Sequence, residues 1–261
     1  MVTCSQRKAR SDGVSTAEAG GEAAELCTRE FINDYFDTPD IWTVKKSAQR
    51  VLTAINRNLY GKSHEFLSAE RGYICTLSVL IIKSHTAHLF HIGDSRIYRL
   101  RDNQLELLTT DHITPLSESN SCLSRAMGMD TRLEIDYRGV SVEPGDLFLL
   151  STDGVHDYLK PERKIEIINQ APDLHQACID LTKAAHAAGS PDNLSCQLVR
   201  IESLPDESLN ELTDKLTELP FPPELYRGMK IDGYEVIKEL YASTRSQLYL
   251  VKDMSSGQEL V

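Results

Sequence analysis

The sequence predicts an α+β protein whose sheets are mainly antiparallel and whose helices lie outside them. Three observations carry this. Between residues 75 and 108, short β-rich runs follow one another through tight turns, as in hairpins and not in βαβ units. Segments with helical periodicity stand before and after this region, at 17–36 and 43–60, then at 161–171 and 174–188. Between them, Leu147 to Ser151 (LFLLS) is a short continuous apolar run, the signature of a strand buried on both faces.

Taken in order, residues 1–11 are polar and carry no pattern. Ala19, Ala23, Leu26, Cys27, Phe31 and Tyr35 form one apolar stripe on the first helix, whose start is favoured by Glu18 and Glu22. The second helix buries Val44, Ala48, Val51, Leu52, Ile55 and Leu59, with Thr43 as its N-cap. The period then changes. CTLSVLIIK (75–83) and TAHLFHI (86–92) read as neighbouring strands, RIYRL (96–100) as a third, and Asp102-Asn103 as the turn to a fourth. Residues 109–130 read as an irregular insertion with a short helix at 122–127. A strand at 133–142 and the turn Pro144-Gly145-Asp146 lead into the central strand, and Leu194 to Ile201 is the last strand before a change in composition.

The chain of 261 residues has a formal net charge of −11 and no long basic run, which argues against a nucleic-acid surface built on phosphate contacts. Six cysteines occur without a C-x-x-C pair, so neither a zinc site nor a disulfide framework is expected; reduced thiols in a cytoplasmic protein are. No apolar stretch is long enough to span a bilayer, and the N-terminus has no secretory h-region.

Carboxylates at turns and strand ends carry the chemistry. Asp153-Gly154 ends the central strand, Asp12-Gly13 lies near the N-terminus, Gly93-Asp94 follows the run Ala87 to Ile92, and Asp192-Asn193 precedes the last strand. A single Asp-Gly is an ordinary turn signal. Four such sites on an antiparallel core can converge on a hard cation, which prefers oxygen ligands. Two metal ions about 3.5–4 Å apart can clamp a phosphoryl group and activate a water, as phosphate-ester hydrolysis at neutral pH requires.

These residues resemble a family. HIGDSRIYRL around Asp94, LLSTDGVHDYL around Asp153 and SPDNLSCQLV around Asp192 look like three motifs of the PPM-type metal-dependent protein serine/threonine phosphatases. LTTDH (108–112), SRAMG (124–128) and SDGV (11–14) resemble further segments, so the likeness covers about residues 11–202. It implies a four-layer α/β-β/α sandwich of two mainly antiparallel sheets flanked by helices, a phosphorylated protein as substrate, and Mn²⁺ or Mg²⁺ as cofactor, two ions or three. Asp12 would bridge two metals, the Gly13 carbonyl would bind one, and Asp153 and Asp192 would bind the other. Asp94 would support the site or hold a third, weaker ion. A metal-activated water would attack phosphoserine or phosphothreonine in line, with no phospho-enzyme. The catalytic residues implied are thus Asp12, Asp153 and Asp192. Family members place strands before the Asp-Gly motif that bring an acid and a phosphate-gripping Arg, whereas MVTCSQRKARS holds no carboxylate. The expectation is a domain lacking its first strands, with a module that binds phosphoproteins without turnover as the alternative.

The predicted organisation is a phosphatase domain at 1–203, an acidic, Pro-containing linker at 204–230, and a remnant at 231–261. That tail resembles the opening of a protein-kinase small lobe, but 240–246 holds none of the glycines expected over ATP phosphates, so no kinase activity is expected. His88 and His91 lie in one strand at odd spacing and fit packing or surface roles, and His112 is a further candidate ligand or base. His156, three residues after Asp153, is left open between substrate contact and solvent. Ser151 lacks a G-x-S-x-G elbow, and Cys75 and Cys196 read as core.

Overall fold

A computed structural model describes residues 2–5, 19–65, 72–115, 121–205, 225–242 and 247–261. It divides into two compact units, residues 1–207 and 208–261. The first is built from β1 (Val2–Ser5), α1 (Gly20–Phe36), α2 (Val44–Glu65), β2 (Thr76–Lys83), β3 (Thr86–Ile92), β4 (Arg96–Arg101) and β5 (Gln104–Leu107). There follow β6 (Ile113–Pro115), β7 (Ser121–Leu123), β8 (Asp136–Ser141), β9 (Leu147–Ser151), α3 (Asp153–His156), α4 (Pro161–Gln170), α5 (Leu174–Ala187) and β10 (Cys196–Arg200).

Two four-stranded sheets form the centre, ordered β1-β2-β3-β8 and β10-β9-β4-β5, and their pairings are antiparallel. Strand alternation decides what each face buries. In the first sheet Leu77, Val79, Phe90 and Ile92 point at α1 and α2, meeting Leu26, Phe31, Leu52, Ile55 and Leu59. Leu80, Ala87 and Leu89 point the other way, onto Ile97, Phe148 and Leu150 of the second sheet. Tyr98, Leu100, Leu147 and Leu149 then turn outward to α4 and α5, against Ile167, Ile168, Leu181 and Ala185. The result is the expected α/β-β/α sandwich, with one apolar layer between the sheets and one under each helical layer.

The local chemistry of the elements agrees with this. Lys46 N donates to Thr43 Oγ1 at 3.3 Å, so Thr43 caps α2, and Gln176 N donates to Asp173 Oδ1 at 2.7 Å to cap α5. Asp102 and Asn103 adopt φ of +50° and +59°, the left-handed pair that a two-residue hairpin turn needs. All five residues of β9 are buried, as its unbroken apolar run predicts.

Four expectations are corrected. The polar segment before Asp12 does form an element: β1 pairs with β2, and backbone hydrogen bonding needs no apolar pattern. The helix expected at 122–127 is absent; β7 pairs with β6, and Met127 bridges to Cys75. Gly128 accounts for part of this, because its φ of +76° and its packing against the Tyr73 carbonyl fix an irregular path. The strand expected at 133–142 narrows to β8, and Asp153-Gly154 opens the short helix α3 instead of forming a turn.

The second unit holds an antiparallel sheet ordered β11-β12-β13-β14, from Lys230–Ile231, Tyr234–Ala242, Gln247–Asp253 and Glu259–Leu260. Register shifts between Val236 and Lys238 and between Glu239 and Tyr241 interrupt the β12–β13 ladder. Most of the predicted linker lies outside the described residues.

Candidate metal centre and active site

Strand register brings three of the predicted carboxylates, Asp94, Asp153 and Asp192, to one end of the sandwich. Ser151, the last residue of β9, pairs with Arg96, the first of β4, and with Cys196, the first of β10. Asp153 therefore leaves the second sheet where Asp94 and Asp192 enter it, two residues before Arg96 and four before Cys196. In the first sheet Leu77 pairs with Ile92, so β3 ends beside the start of β2, and Ser5 at the end of β1 pairs with Thr76. Gly93-Asp94-Ser95 then crosses from the first sheet to the second. Asp12 and Gly13 lie outside the described residues.

Two of the carboxylates are locked together by a close backbone approach. A Cβ on Gly154 would lie 2.5 Å from the Asn193 carbonyl oxygen, so only glycine lets the start of α3 sit against the 192–195 loop. Thr152 stitches the same junction. Its N–H donates to the Ser195 carbonyl at 3.1 Å, its hydroxyl donates to the Asn193 carbonyl at 3.1 Å, and Ser195 N–H donates back to the hydroxyl at 3.2 Å. Asp153 Oδ1 accepts from Gly154 N at 2.9 Å and Asp192 Oδ1 from Asn193 N at 2.7 Å, which fixes each carboxylate on its own loop. Asp94 is buried at the sheet junction, where Ser95 Oγ meets Thr76 Oγ1 at 3.0 Å. The donors are carboxylate oxygens, which suit Mg²⁺ or Mn²⁺ and not a soft metal. Among the described residues no three His, Cys, Asp or Glu side chains come together as a complete metal-binding group. The fit is thus one of donor chemistry, with Asp153 and Asp192 on adjoining loops.

The family model for protein phosphatase 2C matches residues 7–200. The chain belongs to the protein phosphatase 2C family. Protein phosphatase PhpP of Streptococcus pneumoniae is 26% identical to it over 205 residues, which covers 72% of this chain and 82% of the relative. The crystal structure of the serine/threonine phosphatase PstP/Ppp of Mycobacterium tuberculosis superposes with a TM-score of 0.62 at 24% identity, covering 71% of this chain and 83% of that one. A catalytic domain of PstP in complex with 2 manganese ions superposes with a TM-score of 0.61 at 24% identity and the same coverage. These superpositions agree with the sandwich described above.

In this phosphatase-family domain, a chain of hydrogen bonds holds the loop that carries Asp94. His112 N–H donates to the Gly93 carbonyl at 2.7 Å, and Gly93 N–H donates to His112 Nδ1 at 3.1 Å. With Nδ1 accepting, Nε2 carries the proton and donates to Asp136 Oδ2 at 3.0 Å, and Arg125 holds Asp136 Oδ1 at 2.9 Å. Burial acts to raise the Asp136 pKa, but the hydrogen bonds from His112 and Arg125 prevail and hold it low. On the other side of Asp94, the Arg96 guanidinium grips Asp111 with three contacts of 3.0, 3.1 and 2.6 Å. His112 is therefore a positioning residue for the Asp94 turn. His91 is a packing residue, bonded to Ser78 Oγ at 2.9 Å and to the Thr110 carbonyl at 3.1 Å. His88 meets the Tyr137 hydroxyl at 2.9 Å on the other face of the strand.

His156 turns inward, away from both predicted alternatives. Its Nδ1 meets Ser151 Oγ at 3.1 Å, which ties α3 to the end of β9. Burial, aided by the cations Arg96 and Lys164, pushes its pKa down to about 3. Lys164 was not anticipated: it is 2% exposed, donates to the His156 carbonyl at 3.2 Å, and lies over the Tyr98 ring. Burial, with Arg96 adding, lowers its pKa to about 8. The signal was present in PERKIEIINQ, where Lys164 shares the i, i+3, i+4 spacing of buried Ile167 and Ile168.

Two outcomes follow from this geometry. Gly154→Ala drives a methyl group into backbone that cannot swing aside, so urea unfolding should show a loss of about 1–3 kcal/mol; an unchanged midpoint would contradict the close approach. His91, pushed down to about 4 by burial and then by His112, and His156 both lie below the ordinary imidazole value of about 6.5. The unfolded chain therefore takes up protons first on acidification. Their stability contribution is complete above about pH 6.5 and is lost toward pH 4 and pH 3, by up to about 1.4 kcal/mol per pH unit for each. Unfolding measured between pH 7 and 5.5 should show this loss, and His156→Gln should flatten it; an equal slope in the variant would contradict the assignment.

Proposed function

We propose that this chain hydrolyses phosphoserine and phosphothreonine in proteins, with Asp153 and Asp192 as ligands of a Mn²⁺ or Mg²⁺ centre that Asp12 and the Gly13 carbonyl complete. The observation that carries the reading is the Arg96–Ser151–Cys196 register, which delivers Asp94, Asp153 and Asp192 to one end of the sandwich. A metal pair bound there would neutralise phosphoryl charge and supply an acidic water for in-line attack. The residues of the chain do the rest. Asp153 and Asp192 present carboxylates whose loops are locked by Thr152 and by the Gly154–Asn193 contact. Asp94 stands on a turn clamped by His112, in place to support the centre or to take a further ion. Preorganisation of this kind matters because a displacement of about 1 Å in such a site can cost on the order of 100-fold in rate.

Free thiols at Cys122, Cys178 and Cys196 support a reducing, cytoplasmic setting, and the net charge of −11 supports a protein substrate over nucleic acid. No helix among the described residues is long and apolar enough to cross a membrane. The tail at 231–261 is proposed as the opening strands of a kinase-type small lobe, without kinase chemistry of its own; its antiparallel β12–β13 hairpin supports this.

Hydrolysis of p-nitrophenyl phosphate and of a phosphothreonine peptide should require added Mn²⁺. Asp153→Asn and Asp192→Asn should each lower the rate about 100-fold or more while the protein stays folded. A folded chain with no Mn²⁺-dependent turnover would overturn the reading in favour of a module that binds phosphoproteins without cleaving them.

A further inference from the structure

α2 and the loop after Gly128 line an open groove of about 560 Å³. Thr53, Arg57 and Tyr60 line it from one face of the helix, at i, i+4 and i+7, and Thr131, Arg132 and Leu133 face them from the loop. The wall is fixed. Asn56 receives the Gly128 N–H on Oδ1 at 2.8 Å and donates from Nδ2 to the Asp130 carbonyl at 2.8 Å. Met127 pairs with Cys75, one residue before β2 begins, so the loop is anchored to the end of the first sheet where Asp94 stands.

Its charge is unusual for this molecule. The chain carries 39 acidic and 28 basic side chains, and Arg96, Arg99, Arg101, Arg125, Arg138 and Arg163 all hold carboxylates. Arg57 and Arg132 share one groove, yet neither forms an ion pair or a side-chain hydrogen bond among the described residues. Asp130, the adjacent acid in the chain, accepts on Oδ1 from the Thr131 hydroxyl and from the Arg132 N–H, both at 3.1 Å. Arg57 and Arg132 thus line one groove beside Tyr60, and among the described residues neither arginine is paired with a carboxylate, a cationic lining matched to an oxyanion.

We propose that this groove docks a second anionic side chain of the phosphoprotein substrate, a phosphate or a carboxylate, while the scissile phosphate occupies the carboxylate end. The proposal rests on the phosphatase reading for its substrate class, and on the groove alone for the anion. It makes the preferred substrates phosphoproteins with a further phosphorylated or acidic residue near the target site.

The test compares the full-length chain with Arg57→Gln/Arg132→Gln. Fluorescence anisotropy in Mn²⁺ reads the affinity of a singly and a doubly phosphorylated peptide whose target phosphate is replaced by a non-hydrolysable phosphonate, so that no turnover consumes the ligand. The unaltered chain should bind the doubly phosphorylated peptide about tenfold more tightly, and the variant should lose that gain. Its melting temperature and its p-nitrophenyl phosphate turnover should stay unchanged, because neither arginine is placed among the metal ligands. A third peptide with glutamate in place of the second phosphate shows which anion suffices; retention of the gain supports a carboxylate, and its loss supports a phosphate. Equal affinities for the first two peptides in the unaltered chain, or a gain that survives in the variant, would overturn the proposal. If the chain binds with this preference but hydrolyses nothing in Mn²⁺, the groove stands and only the turnover reading falls.

Discussion

The approach of Gly154 to the carbonyl of Asn193 is the constraint on which the candidate site depends. At 2.5 Å from where a Cβ would stand, it leaves no room for any other residue, and it joins two loops that are far apart in the chain. Thr152 reinforces the junction with its backbone and its hydroxyl together. The loops start from β9 and β10, whose ladder is continuous from Ser151–Cys196 to Leu147–Arg200, so a rigid sheet sets their positions. Rigid strands end there, and short polar side chains take over at once. That division suits a site that must hold charge in fixed places.

The rest of the domain serves the alignment of those strand ends. Phe148 and Leu150 press against Leu80 and Leu89 between the sheets, which sets how the sheets face each other. The crossing at Gly93-Asp94-Ser95 joins them at the site end, and its path is narrow as well: Gly93 has φ of +112°, and a Cβ there would lie 2.4 Å from Thr76. Polar anchors hold this crossing from both sides, with the His112–Asp136–Arg125 chain on one and the Arg96–Asp111 fork on the other. The Arg96 and Asp111 side chains are 25% and 15% exposed, so their pairing is better shielded from solvent than an ordinary surface bridge.

Much of this was legible in the sequence because it depends on local pattern. The unbroken run at Leu147–Ser151 announced a doubly buried strand, the β-rich runs of β2 and β3 around a short connection announced a hairpin, and Thr43 announced the start of α2. The carboxylates at Asp94, Asp153 and Asp192 were visible as strand-end residues, but register decides whether strand ends meet, and register is a long-range property. β1 was missed because its partner supplies the hydrogen bonds while its own sequence lacks a pattern. The segment at 122–127 was misread because Gly128 and the Cys75 bridge override its local preference. Lys164 did not stand out because charged residues are rarely buried, although its spacing placed it with Ile167 and Ile168. Arg57 and Arg132 share a groove only through the fold, so neither stood out alone.

The central claim is that aligned strand ends turn separate aspartates into one metal centre. Its most direct test is calorimetric titration of Mn²⁺ into the full chain, into Asp153→Asn and Asp192→Asn, and into Asp102→Asn as a control in the exposed β4–β5 turn. Mn²⁺ should bind the unaltered chain and the control alike, and each site variant should lose at least about tenfold in affinity or a full equivalent of metal. A folded chain that takes up no Mn²⁺, or site variants that titrate like the control, would contradict the account.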